Sequence, residues 1–281
     1  VNKHGSSTSK KPHNNIVYIV LGVVIVGIVI GTTKFVGHSA TTKSKSEKKI
    51  SVLTYANWNP FEYIKNGKVV VFDLDILKSL CKEAGYQYTI KNTGWDSMFT
   101  QLNSGSADAA ISGITITKDR QKTYSFSKPY FVSRQAIIVK KTDTVIKNAT
   151  DLKNKKVAVQ LGSTGEEAAE SILGKNSSNI SKDKGGTTFL QVVHGQADAA
   201  IGDETTVKKY VASNPSYKLK VIYDDKNFEP EYFGLMFTKN SKYRSTYNAT
   251  LKKIIDNGEY TKIYEKWFGS KPSLDVIKSQ Q

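Results

Sequence analysis

The sequence predicts an α/β fold built as two similar halves behind an apolar N-terminal helix. Three observations carry this. From Lys49 onward, short apolar stretches of strand length alternate with amphipathic stretches of helical spacing, the pattern of an α/β chain. The phrase GSADAAI at 105–111 returns as GQADAAI at 195–201. Residues 16–30, IVYIVLGVVIVGIVI, contain no charge. A chain of 281 residues has room for two domains of ordinary size. Ser112, Gly113, Thr115, Thr117 and Arg120 follow the first copy of the phrase, and Gly202, Asp203 and Glu204 follow the second. One cluster carries a cation and the other an anion. The two copies therefore read as jaws of a cleft that holds a zwitterion, although Ala-rich helix–turn–strand units also converge on such strings by chance.

Residues 1–15 form a basic segment containing Lys3, Lys10 and Lys11. The apolar stretch is expected to make a transmembrane anchor or signal helix over 16–36. At about 1.5 Å per residue, some 20 residues reach roughly 30 Å, the thickness of a bilayer core. A retained anchor is favoured, because the apolar region of a cleaved signal usually runs about 7–15 residues; Gly37-His38-Ser39 nonetheless offers a small-residue cleavage pattern. Lysines on both sides deprive the positive-inside rule of a direction. Residues 37–48, rich in Ser, Thr and Lys, read as a flexible tether.

Net charge is +16, of which residues 1–49 contribute +7. The remainder is spread without a basic run interleaved with aromatics, so nucleic-acid binding is not expected; a basic surface facing an anionic envelope accounts for it better. The single cysteine, Cys81, excludes an internal disulfide framework. Its place on an apolar helical face predicts a buried structural thiol.

Ile50–Tyr55 is the first predicted strand. Leu74, Leu77, Leu80, Cys81 and Ala84 share one helical face that ends at Gly85. Tyr86–Ile90 is a strand, and Trp95, Met98, Phe99 and Leu102 mark the next helix. The ADAAI strand follows, apolar enough for a parallel sheet covered on both faces. Ligands sit at the carboxyl ends of such strands, which places 112–117 in a crevice. Ala136–Lys140 and Val157–Gln160 are further strands. Ser163 and Glu166 have capping-box spacing, so the helix they open is a candidate anion site suited to a carboxylate. Phe189–Val193 leads as a helix into the second ADAAI strand. Helix 205–212, strands 219–223 and 233–238, and helices 243–256 and 260–268 complete the chain.

Catalytic sets are missing: three of the four histidines, His4, His13 and His38, fall in the tail or tether, and no nucleophile elbow or zinc-binding helix occurs. Recognition groups are present. Arg120 offers a planar fork to a carboxylate, Asp203 offers acceptors to an ammonium, and Trp58 and Trp95 offer flat walls that also attract cations.

From about Lys48 to Gly269 the chain resembles a family 3 extracytoplasmic solute-binding protein, the amino-acid receptor of ABC importers. The stretches that carry this are Asn59-Pro60-Phe61-Glu62, Phe72-Asp73-Leu74-Asp75, Trp95, Ala107–Arg120, Phe126–Tyr130, and Gly258 with Tyr260, Tyr264 and Lys266–Gly269. The resemblance implies a type II periplasmic-binding-protein fold, a Venus flytrap with one lobe from 49–130 plus 234–281 and the other from 131–233. Crossing segments would fall near Tyr130–Arg134 and Glu229–Phe233. It implies aromatic walls at Trp58 and Trp95, and ammonium partners at Ser112, Thr115, Asp203 and the Gly113 backbone. The carboxylate would meet Arg120 and the Thr164 backbone, with Gln160 and Ser163 lining the second lobe.

One departure bears on specificity: many members carry an acidic residue where Tyr55 stands, so a neutral, glutamine-like amino acid is the first expectation and a cationic one the second. The implied role is a monomeric receptor, not an enzyme, that closes on a free polar amino acid and delivers it to an ABC permease from the outer face of the membrane. No metal or cofactor is expected. The competing reading is a dehydratase or lyase on the same scaffold, with Glu204 as its acid.

Overall fold

The computed structural model describes residues 48–56, 63–65, 68–70, 72–184 and 186–281, all within one compact unit, Ser46–Gln281. The predicted apolar helix at 16–36 and most of the tether lie outside the described residues, as does Trp58. Among the described residues no helix is long and apolar enough to cross a membrane.

The chain opens with β1 (Lys48–Thr54), a short hairpin of β2 (Tyr63–Lys65) and β3 (Lys68–Val70), and α1 (Phe72–Ala84). Ile76, Leu77, Leu80 and Cys81 form the buried face of α1. The Cys81 sulfur lies 3.1 Å from the Tyr247 hydroxyl, and burial pushes the thiol above its ordinary pKa, so it is a packed, protonated group. There follow β4 (Tyr86–Asn92), α2 (Trp95–Asn103), β5 (Ala109–Ala110), the single turn α3 (Arg120–Thr123) and β6 (Tyr124–Phe126). The chain then leaves through β7 (Phe131–Ser133) and builds a second sheet from β8 (Gln135–Lys140), β9 (Val157–Gln160), α4 (Thr164–Leu173), β10 (Ile180–Asp183), α5 (Thr188–Val193), β11 (Ala199–Asp203), α6 (Glu204–Ser213) and β12 (Leu219–Ile222). It returns through β13 (Glu231–Phe233) to β14 (Met236–Thr238), and ends in α7 (Arg244–Asp256), α8 (Glu259–Phe268) and α9 (Leu274–Lys278).

The two sheets have matching strand orders, β4-β1-β5-β14-β6 and β10-β9-β11-β8-β12. The repeated phrase supplies the central strand of each, and its letters have the same physical jobs in both copies. Gly105 and Gly195 take φ of +74° and +72°, the left-handed turn after a helix that a side chain would strain. Asp108 accepts the Ser51 N–H at 2.8 Å and Asp198 accepts the Lys156 N–H at 2.8 Å, so each holds the neighbouring parallel strand in register. The paired alanines are fully buried and alternate between faces: Ala109 packs in one core cluster and Ala110 in another, as do Ala199 and Ala200 in the second lobe.

Neither sheet is purely parallel, contrary to the reading of the ADAAI strands. β5 and β11 run parallel to β1 and β9 on one side but antiparallel to β14 and β8 on the other. Each antiparallel partner enters from a crossing strand, so its direction is imposed by the passage between lobes. The predicted strand 233–238 is likewise split. Its first part pairs with β7 and its second with β5 and β6. Between them Gly234 passes so close to Ile116 that a Cβ would lie 2.9 Å from its Cδ1, so a larger residue there would require the Ile116 side chain to shift.

The crossing ladder pairs Phe131 with Phe233 and Ser133 with Glu231. Phe131 and Phe233 stack with centroids 5.5 Å apart, and Phe72 and Phe268 pack against Phe131. Such pairs contribute about 0.5–1.5 kcal/mol each beyond area burial. They moor the crossing strands to the first lobe.

Candidate functional site

The carboxyl ends of β1, β5, β9 and β11 converge on one cavity lined from both sheets, the place where ligands sit in α/β folds. From the first lobe come Tyr55, Trp95, Ser112, Gly113, Thr115 and Arg120; the second contributes Gln160, Ser163, Thr164 and Asp203, and Phe233 reaches in from β13. Nine of the ten residues singled out in the sequence thus meet at one place, and the tenth, Trp58, lies outside the described residues. Tyr55 and Phe233 were not among the ten. In sequence Tyr55 stands out only as a departure from an acidic pattern, whereas in the fold it stands edge-on to Trp95 with centroids 6.3 Å apart. Phe233 carried no local signal, since it reaches the cavity through the crossing ladder. Glu204, the acid of the enzymatic reading, opens α6 and is not a lining residue.

The loop after β5 is shaped by a buried carboxylate. Asp73 of α1 accepts the Gly113 N–H at 2.7 Å. Burial lifts its carboxyl to about 6, with the Gly113 N–H and then the Tyr130 hydroxyl opposing. Gly113 has φ of +55°, and a Cβ there would touch the Phe233 ring at 3.4 Å. The Ser112 hydroxyl accepts the Tyr55 N–H at 3.3 Å. This explains why Phe72-Asp73 precedes a cavity to which Asp73 itself is hidden.

Arg120 lies across the opening. Its guanidinium donates to the Thr115 carbonyl at 2.8 Å and, across the cleft, to the Gly162 carbonyl at 3.0 Å. It rests over the Trp95 and Phe99 rings at 5.7 and 5.3 Å. Two of its five N–H groups serve those carbonyls, leaving others for a carboxylate. Desolvation pulls its pKa down, while Glu167, Glu231 and Asp203 pull it back up. The charge is kept.

The start of α4 faces it. The Ser163 hydroxyl accepts the Glu166 N–H at 3.2 Å, as the capping spacing predicts, but Glu166 returns its carboxylate to the Gly162 N–H at 2.6 Å and closes the loop one residue earlier than a full capping box. Gly165 brings the helix start against β11 and β8: a Cβ there would meet the Ile201 carbonyl at 3.1 Å and Gln135 at 3.2 Å. Backbone N–H groups at such a terminus attract anions.

Asp203 ends β11 and accepts from the Ser133 hydroxyl at 3.2 Å. Desolvation, then the charge of Glu231, raise its carboxyl from 3.8 to about 8, against the pull of Ser133 and Arg120. A cationic ligand group would supply what this carboxylate lacks. Gln160 is 3% exposed, and neither its amide oxygen nor its amide nitrogen has a partner. An orphaned buried amide lining a cavity is a group shaped for something that binds there. Among the described residues no cluster of three His, Cys, Asp or Glu could hold a metal ion.

Comparison with known proteins identifies the family. The profile of the bacterial extracellular solute-binding proteins, family 3, matches residues 50–270. The arginine-binding extracellular protein ArtP of Bacillus subtilis is 34% identical over 234 residues, covering 83% of this chain and 91% of that protein. A probable histidine-binding protein of Neisseria gonorrhoeae is 30% identical over 83% of this chain and 88% of its own length. Among solved structures, the arginine-, lysine-, histidine-binding protein ArtJ of Geobacillus stearothermophilus superposes with a TM-score of 0.80 at 45% identity, covering 82% of this chain and all of that one.

Proposed function

Because this chain belongs to family 3 of the bacterial extracellular solute-binding proteins, amino-acid-binding receptors of ABC transporters and not enzymes, we propose that its cleft captures a free polar α-amino acid with a cationic side chain first in preference. The observation that carries the reading is the opposed pair of Arg120 and Asp203 in one cavity with the orphaned Gln160 amide. Arg120 and the α4 N-terminus take the carboxylate; Asp203, Ser112 and Thr115 take the ammonium; Tyr55 and Trp95 flank the side chain. Tyr55 by itself favours a neutral, glutamine-like ligand. Relatives named for arginine and histidine, and the attraction of aromatic faces for cations, put the cationic side chain ahead of it.

Contacts made by both lobes favour the closed state only to the extent that the ligand binds that state better. Arg120 to Gly162 is one such contact. The chain is proposed to act as a monomer, held at the outer face of the membrane by residues 16–36 or released if that segment is cleaved, and to pass its ligand to the permease. Tethering raises the local concentration at the transporter. The test is a thermal-shift screen of residues 48–281 against the twenty amino acids, ornithine and cystine. Arginine or histidine is expected to give the largest shift. A largest shift with glutamine overturns the side-chain order, and no shift with any of them overturns the receptor reading.

A further inference from the structure

Glu231 lies in the crossing strand β13 and belongs to neither binding cluster found in the sequence. One of its carboxylate oxygens accepts from the Thr115 hydroxyl at 2.9 Å and from the Thr164 hydroxyl at 2.7 Å. The other accepts from the Gln135 amide at 3.1 Å. The carboxylate therefore joins a threonine of each lobe and a residue of β8, and both threonines line the cavity.

The chemistry of a hydroxyl makes this consequential. A threonine has one O–H proton and two lone pairs, and a carboxylate only accepts. Thr115 has a second hydroxyl within reach, that of Thr164 at 3.5 Å. A bond to a charged acceptor at 2.9 Å outcompetes a neutral contact at that length. Its proton is thus committed to Glu231, and the oxygen is left with lone pairs for the cavity. Thr164 is committed the same way and also accepts from Gln135 at 3.1 Å, so its hydroxyl is occupied and it meets an anion through its backbone N–H.

We infer that Glu231 is a positioning residue for ammonium recognition: it withdraws the hydroxyl proton of Thr115, so that this oxygen faces the ligand as an acceptor and not as a donor. The same ladder serves Asp203, because Ser133, paired opposite Glu231, donates to Asp203 at 3.2 Å. Each of the two crossing strands thereby supplies a hydrogen-bond partner to one of the ammonium acceptors. The inference deepens the receptor reading and rests on it.

The test is a double-mutant cycle of Glu231→Gln and Thr115→Val, read by calorimetry with L-arginine and with 5-guanidinopentanoate, which lacks the α-ammonium. The cycle cancels any direct effect of the Glu231 charge on Asp203 or on the ligand, since that effect is the same with or without the Thr115 hydroxyl. Each single substitution is expected to weaken arginine binding about tenfold, and the double variant no more than the weaker-binding single one. For 5-guanidinopentanoate the coupling is expected to vanish. Glu231→Asp, which keeps the charge and withdraws the acceptor by one methylene, covers the case in which Glu231→Gln does not fold, and the same coupling is expected. Additive losses for arginine, or equal coupling for both ligands, overturn the inference while leaving the receptor reading intact. If the wild-type chain does not bind arginine but binds glutamine, the cycle is run with glutamine and its des-amino analogue under the same criteria. Failure to bind any α-amino acid overturns both.

Discussion

Asp203 yields the sharpest quantitative prediction. In the ligand-free site its carboxyl is lifted from 3.8 to about 8, first by desolvation and second by Glu231. At pH 7 such a group is about nine-tenths protonated. An α-ammonium placed against it favours the ionised form, so binding at pH 7 should release close to one proton. Affinity should rise by about tenfold per pH unit between about pH 6 and 7.5, and level off above pH 8. The sign for stability is opposite in the free protein. Its folded pKa exceeds the unfolded value, so the folded state holds an extra proton from about pH 4 to 8, and this contribution to stability falls as pH rises through that window. The ligand-induced rise in thermal midpoint should therefore grow across the upper part of the same window. Titration calorimetry in two buffers of different ionisation enthalpy counts the proton directly, and Asp203→Asn should abolish both the release and the pH slope. A proton count of zero at pH 7, with affinity flat from pH 6 to 8, refutes the assignment of Asp203 to the ammonium.

Substitutions at three further positions probe other parts of the cleft. Arg120→Ala removes charge-assisted bonds worth about 1.5–3 kcal/mol and should weaken amino-acid binding at least about tenfold by calorimetry; Arg120→Lys, which keeps the charge without the fork, should recover only part of the loss. Gln160→Leu should leave the ligand-free protein as stable or more stable in urea, because both polar atoms of the buried amide lack partners, yet it should lower affinity. Gly162→Ala forces a side chain into φ of +73° and should cost about 1–2 kcal/mol of unfolding free energy.

Much of this architecture was legible because its causes are local. Helix faces follow from spacing, the Ser163 cap from the chemistry of one turn, and the two copies of ADAAI from an identity visible by eye. The resemblance to the receptor family rests on motifs of the same short range, and through them nine cavity residues could be named in advance. What escaped were features whose partners are distant in the chain. Strands β6, β7 and β10 have no strong pattern of their own; β7 exists because β13 returns beside it. Tyr55 reads as an ordinary strand end until Trp95 stands against it. Glu231 meets Thr115 and Thr164 across 116 and 67 residues, and nothing near it in sequence announces either.

The sequence by itself determined an α/β chain, its internal symmetry, and which residue types of opposite charge follow each copy of the repeated phrase. Periodicity, caps and turn glycines act over a few residues, so they can be read in one dimension. Only the tertiary structure decided that both sheets are mixed, because strand direction depends on which lobe a strand arrives from. It also decided the direction in which the Thr115 and Thr164 hydroxyls at the cavity donate. Thr115 faces the cavity with lone pairs because a carboxylate on a crossing strand holds its proton, and that arrangement exists only once the two lobes and the two strands between them have met.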